Sequence, residues 1–132
     1  MRSGRIRPLK VLLVEDSKIL VDRLSEAIDR TAGVNLIGAT DVEAVAIAVI
    51  SKEDVDVIVL DLHLKQGTGF GVLRALASVK TKATVIVLTN YDLPEYRNAA
   101  LALGATHFLD KACDYSRLTE LLVEIRNRQA LH

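Results

Sequence analysis

The 132-residue chain has no tryptophan, three tyrosines, two phenylalanines, one cysteine and two prolines. With aromatic residues at 4% and hydrophobic residues at 50%, its interior must be built from aliphatic side chains. A single cysteine, Cys113, excludes an internal disulfide and a thiolate metal cage, and fits a reducing, cytoplasmic setting. An excess of one charge is also missing, since 17 Lys+Arg balance 17 Asp+Glu. That balance argues against direct nucleic-acid binding, which rests on neutralising phosphates. No apolar run is long enough to span a bilayer, and no signal-peptide core follows Arg2, Arg5 and Arg7, so no membrane partner is expected. What is present, an apolar half with 26% charged residues, describes one globular domain.

Three apolar runs stand out: Val11-Leu12-Leu13-Val14, Val57-Ile58-Val59-Leu60 and Val85-Ile86-Val87-Leu88. Runs rich in β-branched residues and without alternation suit strands buried on both faces of a parallel sheet. Residues 34–39 and 106–110 are weaker candidates and read as edge strands. Helical spacing lies between them. Ser17 can cap a helix with Leu20, Leu24, Ala27 and Ile28 on one face, and Asp41 can cap one running through Ala44, Ala48 and Glu53. Phe70, Leu73, Leu76 and Ala77 mark a third stripe, Ala99, Ala100 and Leu103 a fourth, and Leu118, Leu121, Leu122 and Ile125 a fifth.

Five strand–helix units in alternation predict an α/β, flavodoxin-like doubly wound sheet of five parallel strands in the order 2-1-3-4-5, with five helices. In such sheets ligands bind beyond the carboxyl ends of strands 1 and 3, where the winding reverses. Glu15 and Asp16 end strand 1 and Asp61 ends strand 3, so three carboxylates should converge there. Like charges that close raise one another's pKa unless a cation intervenes, and a carboxylate-rich oxygen set suits magnesium better than zinc. Thr89 ends strand 4 and Lys111 follows strand 5, adding a hydroxyl and an ammonium. Together these groups suit a tetrahedral phosphoryl dianion with a carboxylate nucleophile beneath it.

With its motifs VLLVEDS, VIVLDLHL followed by Gly69, VIVLTN and GATHFLDK, the chain resembles the receiver domain of bacterial two-component response regulators. The resemblance implies a phosphorelay protein in which Asp61 is the phosphoacceptor. It further implies that Asp16 binds Mg2+ directly, Glu15 acts through water, and the backbone carbonyl of His63 completes the protein ligands. Thr89 and Lys111 would hold the phosphoryl group, and Phe108 would be the aromatic switch. Implied partners are a sensor histidine kinase or histidine phosphotransfer protein and a downstream protein target, with a second copy of the chain as a further option. The implied catalysis is confined to the protein's own aspartyl phosphorylation and dephosphorylation. Its switching face would be the fourth helix, fifth strand and fifth helix. Residues 1–8 are expected to be a flexible basic N-terminus, 9–128 a stand-alone receiver domain and 129–132 a tail. The competing reading is a pseudo-receiver that is never phosphorylated and acts as a scaffold, against which the complete set of five site residues argues.

Several residues depart from the family pattern. Ala112 follows Lys111 where proline is usual, so a trans peptide is predicted there. Lys65 replaces a common proline after the phosphoacceptor and should loosen that loop. Asn90 follows Thr89 where small residues are usual, and Phe108 lacks the hydroxyl of the commoner tyrosine. His63 and Tyr91 flank the phosphoryl pocket and should slow hydrolysis of an acyl phosphate. Asp61-Leu62-His63 fits a cobalamin-binding signature poorly, because Gln66 stands where its glycine belongs. The segment Gly67-Thr68-Gly69-Phe70-Gly71 looks like a phosphate loop but does not follow the first strand, and reads as the flexible start of the third helix. Cys113 reads as an inert thiol. The apolar second helix, interrupted between 42 and 50 only by Glu43, is either a contact surface or a tightly packed helix.

Overall fold

Residues 7–79, 81–90, 93–112 and 116–130 are described by the structure, a computed structural model. Five strands, β1 (Leu9–Val14), β2 (Val34–Thr40), β3 (Val57–Leu60), β4 (Thr84–Thr89) and β5 (His107–Asp110), alternate with five helices, α1 (Lys18–Asp29), α2 (Glu43–Lys52), α3 (Gly69–Val79), α4 (Pro94–Ala102) and α5 (Arg117–Ala130). The strands pair in parallel in the order β2-β1-β3-β4-β5, which is the doubly wound sheet expected. The three apolar runs fall in the three inner strands and the two weaker segments at the edges, since only inner strands have both faces covered.

Period-two alternation divides the interior into two layers. Leu12, Val14, Ile58, Leu60, Val85, Val87 and Phe108 face α2, α3 and α4, meeting Ala46, Ile50, Val72, Leu73, Leu76 and Ala100. Val11, Leu13, Val57, Val59, Ile86, Leu88 and Leu109 face α1 and α5, meeting Leu24, Ile28, Leu118, Leu121, Leu122 and Ile125. Among the described residues Phe108 is the one aromatic fully within either layer, with Phe70 and Tyr96 packed partly buried against the first, in keeping with the shortage of aromatics. Burying each large aliphatic side chain contributes about 1.5 to 3 kcal/mol, so the paired layers supply the main stabilisation.

Ser17 caps α1 as predicted, its hydroxyl accepting the Leu20 N–H at 3.3 Å. Asp41 does not cap α2: the capping position is Val42, which offers no side-chain bond. Asp41 instead uses its main-chain carbonyl to accept the N–H groups of Lys65 and Gln66. Three stripes also shift: in α2 Ala44 and Ala48 are exposed, Ala46 and Ile50 are buried, and Glu53 is the C-cap. In α3 the buried set is Val72, Leu73 and Leu76 while Ala77 is exposed, and in α4 Ala100 is buried while Ala99 is exposed and Leu103 is the C-cap. Short Ala side chains carry too little apolar area to set a helix's rotation, which the leucines and valines decide. The fifth stripe is buried throughout.

At the two ends of the described residues, Arg7 pairs with Asp54 at 2.9 Å and with Asp56 at 3.5 Å, and α5 continues to Ala130. No described helix is long and apolar enough to cross a membrane.

Candidate functional site

Register brings the acids together. Val14 pairs with Leu60 at the ends of β1 and β3, so Glu15 and Asp61 emerge side by side, with the Asp61 N–H bonded to the Val14 carbonyl at 2.8 Å. Ligand oxygens of Glu15, Asp16 and Asp61 all lie within 4.8 Å of one another. Glu15 and Asp61 are each 3% exposed, whereas Asp16 faces solvent. Thr89 is fully buried at the end of β4, paired with Asp110 of β5, and its carbonyl accepts the Lys111 N–H at 3.0 Å. That bond turns Lys111 back over the sheet edge. Its Nζ reaches Glu15 Oε2 at 2.8 Å and Asp61 Oδ2 at 3.0 Å.

The electrostatics show a site short of positive charge. Burial pushes the Glu15 carboxyl up to about 7, against hydrogen bonds from Lys111 and the Ser17 N–H, and the neighbouring Asp61 charge adds to the rise. Burial opposes the Lys111 ammonium, but its hydrogen bonds to Glu15 and Asp61 and their charges outweigh it and raise its pKa. Lys111 thus sets one positive charge against the three carboxylates of Glu15, Asp16 and Asp61. Three converging carboxylates with hard oxygen donors and one solvent-facing edge fit a divalent cation that keeps several waters, as magnesium does.

His63 lies two residues past Asp61, its side chain exposed and its N–H donating to Asp61 Oδ1 at 3.3 Å. Asn90 is exposed beside Thr89. Phe108 is buried, with the Arg97 guanidinium of α4 stacked 4.8 Å from its ring centroid. Nothing in the order of residues marks that arginine, because its approach to β5 depends on how α4 packs. Tyr91 and Cys113 lie outside the described residues.

Both positions where proline is usual make backbone bonds that proline cannot make. The Lys111–Ala112 peptide is trans, as predicted, and the Ala112 N–H donates to Asp110 Oδ1 at 2.8 Å. The Lys65 N–H donates to the Asp41 carbonyl at 3.0 Å. Lys65 therefore ties down the loop that it was expected to loosen. The glycine-rich stretch is likewise held: Gly67 and Gly71 pack against Glu43, and Gly69 against the Asp61 carbonyl.

Among relatives, the chain is 28% identical over 121 residues to the sensory transduction protein LytT of Bacillus anthracis, covering 92% of this chain and 48% of that protein. It is 30% identical over 113 residues to the photosynthetic apparatus regulatory protein RegA of Rhodobacter capsulatus, covering 86% of this chain and 60% of that one. The chain thus spans roughly half the length of these relatives. Among solved structures, the response regulator domain of Thermotoga maritima CheB superposes with a TM-score of 0.79 at 21% identity, covering 96% of this chain and 98% of that one. The response regulatory domain of mrkE from Klebsiella pneumoniae gives 0.81 at 21% identity, covering 93% and 99%. At that identity the likeness speaks for the fold. The family profile of the response regulator receiver domain matches residues 11–123. Because that match runs from β1 through every strand and into α5, the chain belongs to the receiver domains of two-component response regulators.

Proposed function

We propose that the chain accepts a phosphoryl group on Asp61 from the phosphohistidine of a sensor histidine kinase or phosphotransfer protein, and passes the signal to a downstream protein in the cytoplasm. The observation that carries this reading is the Lys111 ammonium bridging Glu15 and Asp61 beside the exposed Asp16. A scaffold would have no use for that arrangement.

In phosphoryl transfer the protein acts mainly by positioning groups and neutralising charge. An Asp61 carboxylate oxygen attacks phosphorus in line. The Oδ–P bond forms as the N–P bond of the donor breaks, and the imidazole leaves with the electron pair and takes up a proton. Asp61 Oδ1 is oriented by the His63 N–H, and Oδ2 by Lys111. As negative charge moves onto the phosphoryl oxygens, the Lys111 ammonium follows it, and the Thr89 hydroxyl donates to another oxygen. Asp16, Asp61 and the His63 carbonyl, with Glu15 acting through water, would hold a magnesium ion, which would supply further charge neutralisation. The chain catalyses only its own phosphorylation and dephosphorylation. An imidazole at position 63 hinders the hydrolytic water, so His63→Gly should shorten the lifetime of the phosphate.

Readout falls to the face of α4, β5 and α5. Movement of Thr89 toward the phosphoryl group changes the packing around Phe108, biasing a two-state equilibrium at that face.

Incubation with Mg2+ and acetyl phosphate, followed by intact mass measurement, tests the reading. The wild type should gain one phosphoryl group and Asp61→Asn none. An unmodified wild type that also takes no phosphate from its cognate kinase would overturn it.

A further inference from the structure

The segment from Gly67 to Gly71 does receive an anion, and that anion belongs to the protein. The geometry points to Glu43 as a positioning residue for the phosphoacceptor loop: its carboxylate, seated against Gly67 and Gly71 at the start of α3, pins the loop between β3 and α3 to α2. This inference rests on the proposed function at Asp61.

Glu43 Oε1 accepts the Thr68 N–H at 2.9 Å, just ahead of the first turn of α3, where a negative charge is favoured. A Cβ at Gly71 would overlap the Glu43 carboxylate, and one at Gly67 would strike the same side chain. Gly67 also has φ +84°, which disfavours any side chain there. Main-chain bonds extend the seam. The Lys65 and Gln66 N–H groups donate to the Asp41 carbonyl at 3.0 and 3.4 Å, and the Glu43 N–H donates to the Gln66 carbonyl at 3.0 Å. Val42 and Gln66 thereby form a parallel bridge outside the main sheet.

The seam reaches the phosphoacceptor through close contacts. Thr68 bridges His63 across the loop, and the Gly69 N–H donates to the Leu62 carbonyl at 3.0 Å. A Cβ at Gly69 would collide with the Asp61 carbonyl, so the start of α3 lies directly on the backbone of the phosphoacceptor. A shift at Thr68 is passed to residues 61–63, whose atoms include the expected magnesium ligands. Glu43 touches none of those ligands itself and acts through the loop.

The test compares Glu43→Ala, Glu43→Gln and Gly71→Ala with the wild type. The measurements are amide hydrogen exchange at Thr68, Lys65 and Gln66, the Mg2+ dissociation constant by calorimetry, and thermal unfolding to confirm folding. Glu43→Ala should expose the Thr68 amide and weaken Mg2+ binding by up to about tenfold, the low end of what losing a ligand's direct partner costs. Glu43→Gln keeps an oxygen acceptor and should restore the Thr68 protection and most of the affinity. Gly71→Ala carries the sharper sign, because alanine normally favours a helix over glycine. Here its methyl group displaces the carboxylate, so Mg2+ binding should weaken in a protein that remains folded. Unchanged Thr68 exchange and unchanged Mg2+ affinity in both Glu43→Ala and Gly71→Ala would overturn the inference. A wild type that neither binds Mg2+ nor takes a phosphoryl group would instead overturn the proposed function, and Thr68 exchange would still decide whether Glu43 pins the loop.

Discussion

Lys111 Nζ stands 2.8 Å from Glu15 Oε2, although 96 positions separate the two residues in the chain. Both side chains are withdrawn from water, at 12% and 1% exposure, so the Glu15 charge relies on the ammonium, which also serves Asp61 at 3.0 Å. Removing one member of a buried ion pair leaves an unpaired charge and costs about 3 to 5 kcal/mol. Lys111→Met should therefore be destabilising at pH 8. The loss should shrink at pH 5, where Glu15 can take up a proton in place of the ammonium. Urea unfolding at the two pH values measures the difference, and equal losses would count against the pairing.

Glu15 has its own pH signature. Its carboxyl is pushed from the ordinary 4.5 up to about 7 in the folded protein, chiefly by burial. A raised folded pKa means that the folded state holds the proton more tightly than the unfolded chain. Its contribution is fully present below about 4.5, is lost as pH rises toward about 7, and is constant above that. Glu15→Gln, which stays neutral, should thus match the wild type in stability at low pH and become progressively more stable than it across that window. Unfolding midpoints of the two metal-free proteins, taken at intervals of pH, check the trend.

Lys65 and Ala112 predict opposite results from the usual benefit of proline in a loop. Each N–H has an acceptor, the Asp41 carbonyl for Lys65 and Asp110 Oδ1 for Ala112. Lys65→Pro removes one such bond and should cost about 1 kcal/mol in denaturant unfolding. It should also raise exchange at the neighbouring Gln66 amide. A gain in stability would show that the hydrogen bond at Lys65 contributes nothing.

Arg97 stacks over the buried Phe108 ring at 4.8 Å. A partly exposed cation–π contact contributes about 0.5 to 1 kcal/mol, whereas truncating a buried phenylalanine costs about 3 to 5 kcal/mol. Arg97→Ala should therefore be mildly destabilising and Phe108→Ala severely so. Combining Arg97→Ala with Phe108→Leu in a double-mutant cycle isolates the contact, and purely additive losses would show no coupling.

Legibility differed by the kind of interaction. Buried strands were plain because Val, Ile and Leu crowd into runs such as 57–60, and a strand covered on both faces has no polar positions to interrupt it. Leu118, Leu121, Leu122 and Ile125 were plain for the corresponding reason in a helix. Asp41 differs because an aspartate before a helix suggests a side-chain cap, whereas its role here is carried by a carbonyl that every residue possesses. Glu43 looked like a lone interruption in an apolar helix, since nothing near it in the chain reveals Thr68 and Gly71 as its neighbours.

The sequence by itself determined the alternation of strands and helices, the order of the strands, and the gathering of Glu15, Asp16, Asp61, Thr89 and Lys111 at one end of the sheet. Those features follow from hydrophobic periodicity and from the residue at each strand's end, both local in the chain. Tertiary structure alone decided which carboxylates Lys111 pairs with, how far burial raises Glu15, and that the loop after Asp61 is tied to α2. These depend on distances between residues remote in sequence and on main-chain groups common to all residues, and neither leaves a mark in the order of side chains.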